Sequence, residues 1–122
     1  WMLERPAHAP ASRDVKRVID YLHAHLADAV TLDDLVAVAG VPGRTLNEHF
    51  RAFTGHAPMA YLRRLRLAAV RRELMAGPAA SVTDVALRFG FLHLGRFSGV
   101  YRQAFGEAPS ATLERGRQVM GR

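Results

Sequence analysis

The chain has 122 residues, 49% of them hydrophobic, and a formal net charge of +6. That is the size of one domain with enough apolar material for a core, and no apolar run approaches the roughly 20 residues of a membrane-spanning helix. With no cysteine in the chain, disulfide frameworks, thiolate zinc sites and cysteine nucleophiles are excluded.

Residues 1–13 begin with the period-free stretch WMLERPAHAPAS. Its Pro and Ala content reads as a linker or docking strand. A first residue of Trp rather than Met points to a larger parent protein with a region amino-terminal to this one. No secretory signal is visible in this polar start, and a cytoplasmic location is expected. Val15, Val18, Ile19, Leu22 and Leu26 then mark a helix with one apolar face. Thr31 opens a short helix: its hydroxyl caps a backbone N–H, and Asp34 favours the positive helix end. Leu32, Leu35, Val36 and Ala39 face inward, and Gly40 supplies the left-handed residue of a tight turn. A third helix, buried along Leu46, Phe50 and Phe53, runs to about Thr54 and closes at Gly55.

Pro58 is tolerated in the first turn of a helix and opens a long run to about Met75, roughly 27 Å. Gly77 and Pro78 end it. Ser81 and Asp84 repeat the capping pattern, and a helix extends to Phe89. Gly90 makes a second turn, followed by helices from about Leu94 to Phe105 and from Pro109. No stretch alternates with period two for long enough to be a strand. The expected fold is all-α, with about seven helices in two helix-turn-helix motifs (residues 31–55 and 81–106) joined by a linker helix (residues 58–75). The domain spans residues 14–115, and residues 116–122 form a tail.

The two motifs are copies of one unit. Thr31, Asp34 and Gly40 return as Ser81, Asp84 and Gly90, fifty residues on. Past the turn the offset is fifty-one: Leu46, Phe50, Arg51, Gly55, Pro58 and Leu62 meet Phe97, Tyr101, Arg102, Gly106, Pro109 and Leu113. One residue inserted in a turn of a duplicated unit leaves this trace. Two helix-turn-helix units on one chain suit a ligand with a regular repeat, such as double-stranded DNA.

Charge is unevenly placed. Residues 1–43 carry four basic and six acidic side chains, whereas residues 44–106 carry ten Arg against Glu48, Glu73 and Asp84. Arg grips phosphate or guanine through a planar fork. In the first motif Arg44, Thr45, Asn47, Glu48 and Arg51 lie off the apolar stripe. Arg pairs with guanine, Asn with adenine, and Glu accepts from cytosine; Arg51, one turn further along, suits a phosphate. In the second motif His93, Arg96, Ser98 and Arg102 are the polar candidates, with Arg96 the base reader and Ser98 and Arg102 at phosphate. Gly95 and Gly99 share a face and cost roughly 2 kcal/mol against alanine. Either close approach to DNA or close packing on a neighbouring helix would account for them.

These residues give the chain a resemblance to the carboxy-terminal DNA-binding domain of the AraC/XylS family of bacterial transcription regulators. It covers about residues 14–115 through LDDLVAVAG, the Gly55–Leu62 stretch, SVTDVALRFGF and FGEAP; FLHLGRF followed by YRQAFGEAPSATL is similar to the XylS-like subgroup. The resemblance implies two recognition helices in successive major-groove segments of an operator. It places base reading on Arg44, Asn47 and Glu48, and on Leu94, Gly95, Arg96 and Gly99. It also implies contact with RNA polymerase and an amino-terminal effector-sensing and dimerisation region. The chain departs from the family pattern at Pro42-Gly43, where a Ser-Pro cap is common, at Gly99, where Arg is common, and at Glu48.

No cofactor or metal site is expected, since His23, His25, His49, His56 and His93 lack ligand spacing. Nor is an enzyme, since no nucleophile, base and acid order stands out. Arg63, Arg64, Arg66, Arg71 and Arg72 wind around the linker helix without forming a membrane-binding stripe; some are expected to pair with carboxylates such as Asp84 or Glu73. The alternative function is a non-catalytic helical protein-interaction module with only non-specific DNA affinity.

Overall fold

The computed structural model describes residues 12–76 and 81–121, and every described element is helical. The order is α1 (Arg13–Ala24), α2 (Leu32–Ala39), α3 (Gly43–Thr54), α4 (Pro58–Ala76), α5 (Val82–Arg88), α6 (Leu94–Phe105) and α7 (Pro109–Met120). The chain divides into two compact units, Trp1–Leu65 and Arg66–Arg122. The boundary falls inside α4. The terminator assigned to Gly77 and Pro78, and most of the amino-terminal linker, lie outside the described residues.

In the first unit α1, α2 and α3 pack around Val15, Val18, Leu22, Leu35, Leu46, Phe50 and Leu62, all at most 1% exposed. The α2 start is a complete capping box. Thr31 Oγ1 accepts from Asp34 N–H at 3.1 Å, and Asp34 Oδ2 accepts from Thr31 N–H at 2.9 Å. Two backbone donors with no intrahelical partner are thereby satisfied.

In the second unit Val70 and Leu74 of α4, Val85 and Ala86 of α5, Phe97 and Tyr101 of α6, and Leu113 of α7 form the buried set. Ser81 Oγ accepts from Asp84 N–H at 3.0 Å, as Thr31 does in the first copy. Tyr101 takes the place of Phe50, and its hydroxyl donates to Thr112 Oγ1 at 2.8 Å. Thr112 donates to Glu107, which also accepts from Arg115 at 2.5 Å. This chain of bonds ties α6 to α7. Burial raises the Tyr101 hydroxyl above its usual range, while donation from Thr112 holds the Glu107 carboxyl below its own.

The slip from fifty to fifty-one has a local cause. After α2, Gly40 is left-handed (φ 72°) and its N–H bonds to Val36 O, a single five-residue closure. After α5, Gly90 (φ 86°) bonds to Leu87 O while Phe91 N–H reaches Ala86 O. That pair is a Schellman closure. Two residues then separate Gly40 from α3, and three separate Gly90 from α6. The extra residue sits in the turn, where it does not disturb helix faces.

Candidate nucleic-acid interface

The two recognition helices, α3 and α6, are held by one face and free on the other. On α3, Leu46 and Phe50 are fully buried, and Phe50 meets Tyr61 edge-on with ring centroids 5.2 Å apart. On α6, Phe97 and Tyr101 do the same work, with the Phe91 ring tilted 45° against that of Phe97 at a centroid distance of 4.8 Å. Neither helix has a side-chain cap: Pro42 and His93 occupy the cap positions without a capping bond. Their amino-terminal amides are thus left for other partners, in contrast to α2 and α5.

Arg44, Glu48 and Arg51 lie together on the exposed face of α3, and Thr45 and Asn47 are half-buried at its edges. Arg44 and Glu48 approach to 3.8 Å with side chains 92% and 64% exposed. An exposed pair of this kind contributes roughly 0.3–0.5 kcal/mol, so either group can turn to a ligand at small cost. On α6, Gly95, Arg96, Gly99 and Arg102 are exposed, as is His93 before it, while Leu94 and Ser98 are half-buried. An added Cβ at Gly95 or Gly99 would meet nothing within 4 Å. Close packing on a neighbouring helix is therefore not what holds these glycines in place. They form a bare strip on a helix that would be more stable without them.

Sequence reasoning passed over two residues that position α3. Asp14, only 6% exposed, accepts from Ser12 and from His49 Nδ1, the latter at 2.7 Å. The bond joins α1 to the recognition helix. Burial alone would raise the Asp14 carboxyl, but the hydrogen bonds from Ser12, His49 and the Val15 amide outweigh it and hold the group below its ordinary 3.8. A depressed carboxylate stabilises the fold in full above that ordinary value and loses the contribution as pH falls through its folded value. The first unit is accordingly expected to show an acid-unfolding limb below about pH 4, and Asp14→Asn should flatten it in a circular-dichroism titration. An identical limb in the variant would assign the acid sensitivity to other carboxylates. The signal for this pair was weak: Ser12 closed the period-free stretch, and His49 stood only among the histidines without ligand spacing. Leu92, just before the α6 cap, was also missed and is 73% exposed.

Among the linker arginines, Arg71 lies over the Phe105 ring at 5.2 Å. Glu73 takes Arg88 of α5 at 2.5 Å, a partner from outside the linker set. Among the described residues no helix is long and apolar enough to cross a membrane, and no group of three potential ligands could hold a metal ion.

Comparison with known proteins agrees with this arrangement. A family model described as a helix-turn-helix domain matches residues 35–115. The XylDLEGF operon transcriptional activator 2 of Pseudomonas putida is 40% identical over 101 residues, covering 80% of this chain and 64% of that protein. A crystal structure of a probable AraC family transcriptional regulator from Rhodopseudomonas palustris superposes with a TM-score of 0.81 at 37% identity, covering 87% of this chain and 99% of that one. The DNA-binding domain of AdpA, a global transcriptional factor solved in complex with a target DNA, superposes at 0.76 with 28% identity, covering 91% and 99%. The chain spans less than two thirds of the length of the curated relatives it matches, and about a third of most of them. With two copies of the motif, their turn glycines and seven helices among the described residues accounted for, the chain belongs to the AraC/XylS family and comprises its helix-turn-helix domain.

Proposed function

We propose that the chain is the sequence-specific double-stranded DNA-binding module of a transcription regulator and works by binding rather than catalysis. The observation that carries this reading is shared by both recognition helices: one face is buried and the other open, with Arg44, Glu48 and Arg51 on α3 and Arg96, Arg102 and the unobstructed Gly95 and Gly99 on α6. Arg44, Thr45, Asn47 and Glu48 read base edges in one major-groove segment. His93, Leu94, Gly95, Arg96 and Gly99 read those in the next. Arg51, Ser98 and Arg102 meet phosphates. Bidentate Arg–guanine and Asn–adenine pairs supply discrimination, and Arg–phosphate contacts supply salt-dependent affinity. That a relative of the same fold was solved on its target DNA supports the reading. The whole regulator acts in the cytoplasm, its remaining length sensing an effector and dimerising, with RNA polymerase as the partner of the bound domain.

Selection from a random duplex library, followed by titration of the winner against scrambled DNA near physiological salt, tests the proposal. The expected site is bipartite, with two short boxes about one helical turn, or ~34 Å, apart. A single box would reduce the second motif to phosphate positioning. Absence of preference would transfer the chain to the protein-interaction reading. On the selected site, Arg96→Ala is expected to cost about 1–3 kcal/mol and relax preference at one base pair, whereas Arg51→Ala weakens all sequences alike, with a salt slope shallower by about one. An Arg51→Ala effect confined to one base would reassign it as a reader.

A further inference from the structure

Residues 1–43 are acidic as a whole, yet three of their four basic side chains, Arg13, Lys16 and Arg17, fall within the first five positions of α1. A helix start favours anions, not cations. Helix stability therefore gives no reason for this clustering. Arg13 and Arg17 are one turn apart and both exposed. With Asp14, the Gly40 turn and His49 they line an open cleft of about 290 Å3. The Arg17 guanidinium reaches over that turn, 3.9 Å from where a Gly40 Cβ would stand. No carboxylate among the described residues pairs with either arginine. Asp14, which also lines the cleft, is engaged by Ser12 and His49 rather than by either arginine. The cleft opens beside α3, because His49 directly follows Glu48 on that helix.

We propose that Arg13 and Arg17 hold a DNA backbone phosphate at this cleft, beside the first recognition helix. The inference rests on the DNA-binding reading above. When α3 lies in a major groove, the sugar-phosphate backbone passes along its flanks. A guanidinium pair carried by a different helix would then fix the depth and angle at which α3 enters. Phosphate contacts of this sort set register without reading sequence. Neither the composition of residues 1–43 nor the recognition helices themselves point to this contact; it arises because α1 folds across the turn that starts α3.

The test is fluorescence anisotropy of the Arg13→Ala/Arg17→Ala variant on the selected duplex and on scrambled duplex, across a series of salt concentrations. Both arginines are exposed on a helix where alanine is well tolerated, and a thermal melt confirms the fold. Arg13→Gln/Arg17→Gln is the alternative variant if the alanine pair melts early. Loss of one phosphate contact is expected to weaken binding about fivefold near 0.15 M salt on both duplexes, with the slope of log affinity against log salt shallower by about one. Arg13→Lys/Arg17→Lys restores most of the slope. Unchanged affinity and slope overturn the proposal, as does a loss confined to the selected duplex. If the parent chain shows no sequence preference, the specificity reading fails on its own, and the slope on scrambled DNA still decides the phosphate site.

Discussion

Gly116→Ala is expected to destabilise the second unit by about 3 kcal/mol, at the upper end of what an added methyl costs in a packed interior. The residue lies in α7 where that helix crosses the end of α4. A Cβ there would stand 2.3 Å from Leu74 O and 2.9 Å from Met75 O. Both obstacles are backbone carbonyls, which have no rotamer by which to move aside. Relief would require α7 to lift away, exposing Leu113 and breaking the Tyr101–Thr112–Glu107–Arg115 chain that secures α6. A thermal melt should show a transition lowered by more than about 10 °C. Amide exchange should place the loss in α5, α6 and α7 while α1, α2 and α3 keep their protection. A parent-like melt would mean the helices part at no cost, and the contact would lose its structural meaning.

The Gly95→Ala/Gly99→Ala variant is expected to move stability and function in opposite directions. Neither position has a positive φ, and neither faces a protein atom within 4 Å. Alanine should therefore stabilise α6 by about 0.8–1 kcal/mol at each site. If the bare strip faces the floor of a major groove, the same methyl groups stand between helix and bases. Affinity for the selected operator should then fall about tenfold or more, the ~1–3 kcal/mol of a methyl forced into a packed contact. Chemical denaturation and anisotropy on one preparation measure both effects. A variant that gains stability and binds as well as the parent would leave the glycines without a role in DNA approach. Reading would then pass to Arg96 and the residues around His93.

The helices were legible because their signals are local. Caps at Thr31 and Ser81, left-handed glycines at Gly40 and Gly90, and prolines at Pro58 and Pro109 act within a few residues of where they stand. The apolar stripes of α3 and α6 follow from the 3.6-residue period alone. Duplication added what no single motif carries: a constant offset and its slip assign equivalent roles to residues fifty positions apart, as Phe50 and Tyr101 show. The polar faces followed by subtraction, since a side chain off the buried stripe of a short helix is left to solvent or ligand. Glu73 shows the limit of this reasoning, because its charge was plain but its partner, Arg88, was not among the linker arginines considered.

The sequence by itself thus determined the helical class, the paired motifs and the outward faces of α3 and α6, all of which depend on periodicity and on caps only a few residues long. Tertiary structure alone decided three things. It brought Asp14 to His49 across 35 residues, against a composition that offered no reason to join them. It separated Gly116, pressed onto carbonyl groups, from Gly95 and Gly99, which face open space, although a glycine in a helix reads the same in all three places. And it gathered Arg13 and Arg17 beside the turn that starts α3. The physical reason is common to the three: each depends on what packs against a side chain or a bare backbone, and that is set by the crossing of helices distant in the chain.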